Sequence, residues 1–141
     1  MNQIDMKEKI GKIVLTFGVF DYLHYGHLKL FERASRYGSL VVAVQKDEEI
    51  HKTKPEAKIL YDLRKRMEFV SAIRFVDKVV PYSQVDIDIQ EIEFDILVLG
   101  GDQNHAGFER AKAWAECNNK KVIRLERTPG ISSSLIKETK K

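Results

Sequence analysis

Residues 12–38 read KIVLTFGVFDYLHYGHLKLFERASRYG, and this stretch decides the fold. Its first part, residues 12–17, is short, apolar and rich in β-branched side chains, which is typical of a strand buried on both faces. Gly18 ends that strand. From Gly26 onward, apolar side chains recur at helical spacing until Gly38 supplies a stop signal. The stretch therefore predicts a strand, a loop and a helix, in that order.

The same alternation continues along the rest of the chain. We predict further strands at residues 40–44, 77–80, 94–99 and 121–125, and helices at residues 62–73, 84–92, 108–117 and from Ser132 onward. The lysine-rich residues 45–59, interrupted by Pro55, are predicted to form a mobile loop. Strands separated by helices of about ten residues imply right-handed βαβ units. We therefore expect an α/β fold: a single Rossmann-like domain over residues 1–141, with a mostly parallel sheet and helices on both faces.

Length and composition exclude several classes of protein. The 141 residues fit one domain, and 43% hydrophobic with 32% charged residues are proportions typical of a globular chain. No apolar run approaches the ~20 residues that span a bilayer, and the polar start lacks the apolar core of a signal peptide. We therefore expect a cytoplasmic protein without a membrane partner. The single cysteine, Cys117, excludes an internal disulfide.

The charge pattern argues against a nucleic-acid-binding protein. The net charge of +3 is a small difference between 24 basic and 21 acidic residues. The basic residues form short groups, such as residues 64–66, rather than a dense stripe. Each group is either a set of phosphate ligands or solvated surface.

The strongest motif is GVFDYLHYGH at residues 18–27, which places His24 and His27 three residues apart across Gly26. It lies between a buried strand and a helix, and ligands of such sheets bind beyond the carboxyl ends of the strands. Two imidazoles beside a helix N-terminus favour a phosphate group. A pair of capping or core histidines, or two ligands of a zinc ion, are the alternatives that the residues leave open.

A second motif, RTPGISSSLIK, occupies residues 127–137. Arg127 follows a predicted strand, residues 129–130 form a turn, and three consecutive serines open the closing helix. Three hydroxyl groups exceed the needs of one N-cap, so together with Arg127 they predict an anion site. The alternative is an ordinary capped helix.

The two motifs together resemble the signatures of the small cytidylyltransferases, most closely the glycerol-3-phosphate cytidylyltransferase group. The segments FERASRYGSLVVAV, SAIRFVDKVVP and FDILVLGGD resemble the intervening blocks of that group, in the same order. The resemblance implies a Rossmann-like fold, commonly dimeric. It also implies transfer of CMP from CTP to a phosphomonoester, with Mg²⁺ as cofactor and release of pyrophosphate.

The resemblance also implies roles for individual residues. The implied catalytic residues are His24, His27, Lys54, Arg74 and Arg127. The implied nucleotide-binding residues are Phe17, Gly18, Val19, Phe20, Gly26, Lys52, Gly101, Asp102, Thr128, Gly130, Ile131, Ser132, Ser133 and Ser134. Asp21 would be a metal ligand or a member of the hydrogen-bond network. The spacing leaves open whether Lys52 or Lys54 meets the phosphates.

Two departures from the group bear on the substrate. Val19 stands where the group usually has a threonine, so it must act through its backbone or by packing. Residues 82–94 contain no lysine or arginine for the acceptor, and His105 or Trp114 is a candidate for shaping that pocket instead. Trp114 is predicted to be a half-buried helix residue, and His105 either caps the next helix or touches ligand.

Three functions are compatible with the motifs. The leading hypothesis is a cytidylyltransferase that uses CTP and a small phosphorylated alcohol or polyol, such as glycerol 3-phosphate, as a homodimer. The first alternative is an adenylyltransferase that uses ATP, because the motifs grip phosphate and do not identify the base. The second alternative, from another class, is a nucleotide-binding regulatory protein without turnover.

Overall fold

The computed structural model describes residues 11–126, which form one sheet of five parallel strands with helices around it. The strands are β1 (Ile13–Gly18), β2 (Ser39–Gln45), β3 (Lys78–Tyr82), β4 (Ile96–Gly100) and β5 (Lys121–Leu125), in the spatial order β3-β2-β1-β4-β5. The helices are α1 (Tyr25–Ser35), α2 (Asp47–Thr53), α3 (Leu63–Ser71), α4 (Val85–Asp88) and α5 (Ala106–Cys117), with a 3₁₀ turn at Ile89–Glu91. This architecture confirms the predicted α/β, Rossmann-like fold. The predicted closing helix from Ser132 lies outside the described residues.

The strand order reverses between β1 and β4, and these two neighbouring strands pair over only a short length. β1 pairs with β2 along its whole length, from Ile13 to Gly18, whereas its register with β4 covers only Val14 and Leu15. Further along, the Thr16 hydroxyl donates to the carbonyl of Val98 at 2.9 Å in place of a backbone bond. A crevice at such a switch point is where ligands of open α/β sheets bind.

Helices cover both faces of the sheet, as predicted. Alternate residues of a strand point to opposite faces, so Val14 packs with α1 and α3 whereas Leu15 packs with α4 and α5. Phe31 of α1 and Phe108 of α5 are core residues on the two faces. Trp114 of α5 is half-buried and lies 6.2 Å from the ring of Phe94, which confirms its predicted place in a helix.

Two predicted elements differ from the structure. Residues 45–59 were expected to form a loop, but α2 occupies part of this range because Ile50 is buried, with 4% exposure, and acidic residues fill the first turn. Residues 84–92 were expected to form one helix, but they form α4 and a separate 3₁₀ turn.

The structure also bears on the predicted absence of a membrane span. Between residues 11 and 126, no helix is long and apolar enough to cross a bilayer.

Candidate active site

His24 and His27 cap the start of α1 with their own side chains. His24 is the N-cap residue, and its Nδ1 accepts the backbone N–H of Gly26 at 3.0 Å. In return, Nδ1 of His27 accepts the backbone N–H of His24 at 3.3 Å. The two rings stack with centroids 4.0 Å apart. The capping role that the sequence left open is therefore present, in the reciprocal form of a capping box.

This capping geometry decides which nitrogen of each ring carries the proton. An Nδ1 that accepts a hydrogen bond has no proton, so a neutral imidazole in this position carries its proton on Nε2. Burial and the neighbouring His24 lower the pKa of His27 to about 4. His27 is therefore neutral near pH 7. The backbone N–H groups that its ring and that of His24 accept polarise the imidazoles, and this strengthens their Nε2–H groups as donors. Neutral donors at a helix N-terminus suit a phosphate oxygen.

The predicted zinc alternative does not fit this geometry. Within residues 11–126, no group of three or more His, Cys, Asp or Glu side chains is arranged to hold a metal ion. The Nδ1 atoms of both histidines already accept backbone hydrogen bonds. The pair is therefore a set of donors rather than two metal ligands.

The loop between β1 and α1 packs against the ring of His27 through the side chain of Phe20. Phe20 has a positive φ of 56°, a conformation that costs a non-glycine residue energy. Its buried ring lies over Gly18 and packs nearly perpendicular to the His27 ring, with the two ring centroids 5.4 Å apart. A Cβ atom on Gly18 would lie 2.5 Å from the Phe20 ring, so only glycine fits there. These contacts explain why the motif needs Gly18 and Phe20 as well as the histidines.

Asp21, the candidate metal ligand, accepts hydrogen bonds from the backbone with both oxygens of its carboxylate. Its two carboxylate oxygens accept the backbone N–H groups of Leu60, at 2.6 Å, and Tyr61, at 2.9 Å. Asp21 is thus a member of the hydrogen-bond network, and it ties the histidine loop to the segment that leads into α3. Each oxygen keeps a further lone pair, so the metal-ligand role that the resemblance implies stays a prediction.

The two candidate lysines lie on and beside α2. Lys52 forms an ion pair with Glu49 at 2.8 Å, and this carboxylate raises the pKa of Lys52. Glu49 itself is buried, with 7% exposure. Lys54 ends the helix, and its backbone N–H donates to the carbonyl of Ile50 at 2.8 Å. Both lysines belong to the segment that follows β2, at the same edge of the sheet as the histidine loop.

Residues after β4 also lie at this edge. Gln103 spans the crevice, because its Nε2 donates to the carbonyl of Phe17 at 2.7 Å and its Oε1 accepts the N–H of Gly100 at 2.9 Å. Gly101 and Asp102 lie in the same turn, as predicted from their position after a strand. Sequence reasoning did not single out Gln103, whose only signal was its place between Asp102 and the next helix.

Arg74 lies apart from the histidines. It follows α3, just before Asp77, whose backbone N–H donates to the carbonyl of Leu40 at the start of β2. Its guanidinium stacks over the ring of Phe75 at 5.4 Å, and its charge lowers the pKa of Glu32 as a minor contribution beside the main one from Lys29. The structure therefore places Arg74 at the amino edge of the sheet.

His105 caps α5, which is one of its two predicted roles, and contact with a ligand stays a prediction. Its Nδ1 accepts the N–H of Gly107 at 3.1 Å, and its ring lies 4.5 Å from that of Phe108. The remaining predicted site residues, Arg127, Thr128, Gly130, Ile131, Ser132, Ser133 and Ser134, lie outside the described residues.

Sequence reasoning missed Arg66, whose side chain is fully buried at the carboxyl edge of the sheet. The sequence predicts that residues 64–66 are phosphate ligands or solvated surface, and neither role fits Arg66. A signal was present, because residue 66 shares a helical face with Leu63, Met67 and Val70. A charged residue on an apolar face is a candidate for a buried, fully paired group.

Comparisons with known proteins show which family this chain is similar to. Residues 15–139 match the family model described as Cytidylyltransferase-like. The glycerol-3-phosphate cytidylyltransferase of Bacillus subtilis (strain 168) is 40% identical over 131 residues, which cover 90% of this chain and 95% of that protein. The enzyme of the same name from Staphylococcus aureus (strain NCTC 8325 / PS 47) is 35% identical over 130 residues, which cover 90% and 93%.

The fold has relatives among solved structures. The lipopolysaccharide core biosynthesis protein of Thermoplasma volcanium GSS1 superposes with a TM-score of 0.70 at 26% sequence identity, covering 83% of this chain and 98% of that one. A pantothenate synthetase of Thermus thermophilus shares the fold, with a TM-score of 0.58 at 12% identity, covering 98% of this chain and 69% of that one.

Proposed function

The chain belongs to the cytidylyltransferase-like family of nucleotidyltransferase enzymes, and from this premise we propose that it transfers CMP from CTP to a small phosphomonoester. The acceptor is a phosphorylated alcohol or polyol, and glycerol 3-phosphate is the leading candidate. The observation that carries the proposal is the stacked pair of neutral histidines at the start of α1. The two named relatives, matched over nearly their whole length, support CTP as the donor.

The reaction is a displacement at the α-phosphorus of the nucleotide. An oxygen of the acceptor phosphate forms a new bond to this phosphorus, and the bond to the oxygen that bridges the α- and β-phosphates breaks. Pyrophosphate leaves with the bonding electron pair. The attacking oxygen is already anionic near pH 7, so the enzyme needs no general base. It needs to position two anions and to stabilise the charge that develops between them.

The chain's own residues supply these functions. The Nε2–H groups of His24 and His27 donate to phosphate oxygens as the α-phosphorus becomes five-coordinate. Lys52 or Lys54 neutralises the outer phosphates, and Lys52 exchanges the carboxylate of Glu49 for phosphate when it does so. Arg127 and residues 128–134, with their predicted anion site, complete the nucleotide site. Gly101 and Asp102 border the crevice for the nucleoside.

We also propose Mg²⁺ as cofactor, brought in by the triphosphate itself. Mg²⁺ is commonly held by substrate phosphates and water with few protein ligands. Asp21 would be its protein ligand, because each carboxylate oxygen keeps a lone pair beside the backbone N–H group that it accepts. The ion supplies charge neutralisation on the phosphates when it is bound.

The homodimer is part of the same proposal. Arg74 lies at the amino edge of its own sheet, so we assign its predicted catalytic role to the site of the other subunit. A C₂ dimer places the same surface of both copies together, and each Arg74 then serves the histidines of its partner.

The experiment that tests the function is pyrophosphate release with Mg²⁺, comparing CTP with ATP across glycerol 3-phosphate, phosphocholine, phosphoethanolamine and sugar phosphates. We expect release with CTP and one acceptor, and its loss when a chelator removes Mg²⁺. His27→Ala should lower turnover by about 10²–10³-fold, the usual effect of removing one such donor. Arg64→Ala is the control, because this side chain of α3 is 88% exposed and has no role in the proposed reaction.

Each other outcome has a clear meaning. Release with ATP alone would keep the mechanism and replace the base. Binding of CTP without release from any acceptor would favour the regulatory alternative. Wild-type turnover in His27→Ala would remove the histidine pair from the reaction.

A further inference from the structure

Arg66 has the largest fully buried side chain of the described residues, and its guanidinium donates to oxygen atoms. Its Nε donates to the carbonyl of Tyr61 at 2.9 Å. Its Nη1 donates to two carbonyls, that of Val19 at 2.9 Å and that of Gln45 at 2.8 Å. Its Nη2 donates to the carboxylate of Asp47. One guanidinium therefore joins the histidine loop, the end of β2, the start of α2 and the approach to α3.

A buried guanidinium is costly unless its donors are satisfied. Arg66 meets this condition because all three of its guanidinium nitrogens donate to oxygen atoms. A lysine has three donors around one point and cannot cover the same spread of acceptors. The position therefore calls for arginine rather than for any cation, and the fully buried side chain does not contact a ligand itself.

One end of this network sets the histidine loop. Val19, held by its carbonyl, is followed directly by Phe20, the residue with positive φ. The Phe20 ring supports His27 from below. Fixing the Val19 carbonyl therefore helps to hold the turn that delivers the histidine pair. This also explains why the chain works with a valine here: the residue acts through its backbone.

The other end sets α2. Asp47 is the first residue of this helix, and its second oxygen accepts the N–H of Leu63 in the first turn of α3 at 3.3 Å. Lys52 lies further along the same helix. The segment is also tied at its far end, where Asp21 accepts the N–H groups of residues 60–61. The lysine-bearing segment is thus anchored to the histidine loop at both ends.

We propose that Arg66 is a positioning residue. It holds the histidine loop and the lysine-bearing helix α2 at the relative position that lets both contact one triphosphate. It acts through Val19 and Asp47 and touches no substrate. This inference rests on the proposed function, because the relative position of the two segments matters only if both bind the same nucleotide.

The test uses two variants of the full-length protein. Asp47→Asn keeps the shape of a half-exposed side chain and removes the charge that faces Arg66. Arg66→Lys keeps the charge and loses the fan of donors. The matched control is Arg64→Lys, on the same helix, where the side chain is 88% exposed and pairs only weakly with Glu68.

We expect Arg66→Lys to lower kcat/KM for CTP by about 10²-fold, the usual effect of a displacement of about 1 Å between groups that bind one substrate. Asp47→Asn should lower it by about tenfold, mainly through the KM for CTP, with the KM for the acceptor unchanged. The double variant should lose less than the product of the two single effects, because the contact between Arg66 and Asp47 is shared by both substitutions. A purely structural role would reduce the amount of folded enzyme without moving the KM for CTP. Values within twofold of wild type in folded variants would overturn the proposal.

Amide hydrogen exchange in the protein without nucleotide separates this proposal from the proposed function. Asp47→Asn should raise exchange by about tenfold both in α2 and in residues 19–27, whereas Arg64→Lys should leave both unchanged. If the wild-type protein fails to turn over CTP, the proposed function fails, and joint loosening of the two segments still supports the coupling by Arg66. Loosening of α2 alone would overturn that coupling. If Arg66→Lys does not fold, Asp47→Asn decides the question alone.

Discussion

Protonation of His27 is expected to destabilise the fold at mildly acidic pH. Burial and the neighbouring His24 lower its pKa from the ordinary value of 6.5 to about 4. The unfolded chain therefore binds a proton more tightly than the folded one between these values. Stability that is present above pH 6.5 is lost as the pH falls toward 4, and this loss follows from linkage.

The size of the effect follows from the two pKa values. Their difference corresponds to about 3 kcal/mol of preference for the neutral ring in the fold. Between pH 7 and pH 4.5, about 2.5 kcal/mol of this contribution should disappear. The variant His27→Asn is the matched comparison, because its amide oxygen can still accept the His24 N–H and it does not titrate.

Urea unfolding of both proteins at pH 7 and pH 4.5 measures the effect. The wild-type free energy of unfolding should fall by about 2.5 kcal/mol more than that of His27→Asn. Baseline stability differs between the two proteins, but the comparison uses only the change with pH. Equal losses in both proteins, within about 0.5 kcal/mol, would refute the argument that His27 is held neutral.

Other contacts give predictions with separate measurements. Gly18→Ala should destabilise the protein by about 1–3 kcal/mol in urea unfolding, because its Cβ overlaps a ring, whereas Gly100→Ala, which meets only ordinary contacts, should be tolerated; equal effects would contradict the close packing. Thr16→Val, which removes a buried hydroxyl bond across the crevice, should cost about 1–3 kcal/mol in the same assay, and an unchanged midpoint would discount that bond. Mixing and reassociating inactive His27→Ala and Arg74→Ala subunits should restore about a quarter of wild-type pyrophosphate release if Arg74 serves the partner's site; no restored activity would return Arg74 to its own subunit or remove it.

The regular part of the fold was predictable because its signals are local. The central strands are short apolar runs, and α1, α3 and α5 carry apolar residues at helical spacing. Helix α2 has one such residue, Ile50, so its pattern resembled a loop. Its acidic first turn was the available signal, and its stability depends on contacts distant in sequence, above all that of Asp47 with Arg66.

The site was predictable in its outline and not in its detail. His24 and His27 were identified from their spacing beside a strand, which is a local property. The roles of Asp21 and Arg66 were not predictable in this way. The partners of Asp21 lie about 40 residues away along the chain, and all partners of Arg66 except Tyr61 lie about 20 to 50 residues away. A sequence pattern identifies which residues carry chemistry, whereas the backbone groups that hold them become visible only in the folded chain.

The histidine pair both caps helix α1 and presents hydrogen-bond donors, and these two roles affect what its presence in a related sequence says about activity. Because the imidazoles close the first turn of α1 as well as presenting donors outward, a lineage that lost turnover would still be selected to keep both rings for the stability of that helix. Retention of the pair in a distant sequence is therefore weak evidence of activity. The informative substitutions keep an acceptor for the N–H groups at the start of α1 and remove the outward Nε2–H donor. Such a change removes the catalytic role of the side chain while the helix keeps its cap.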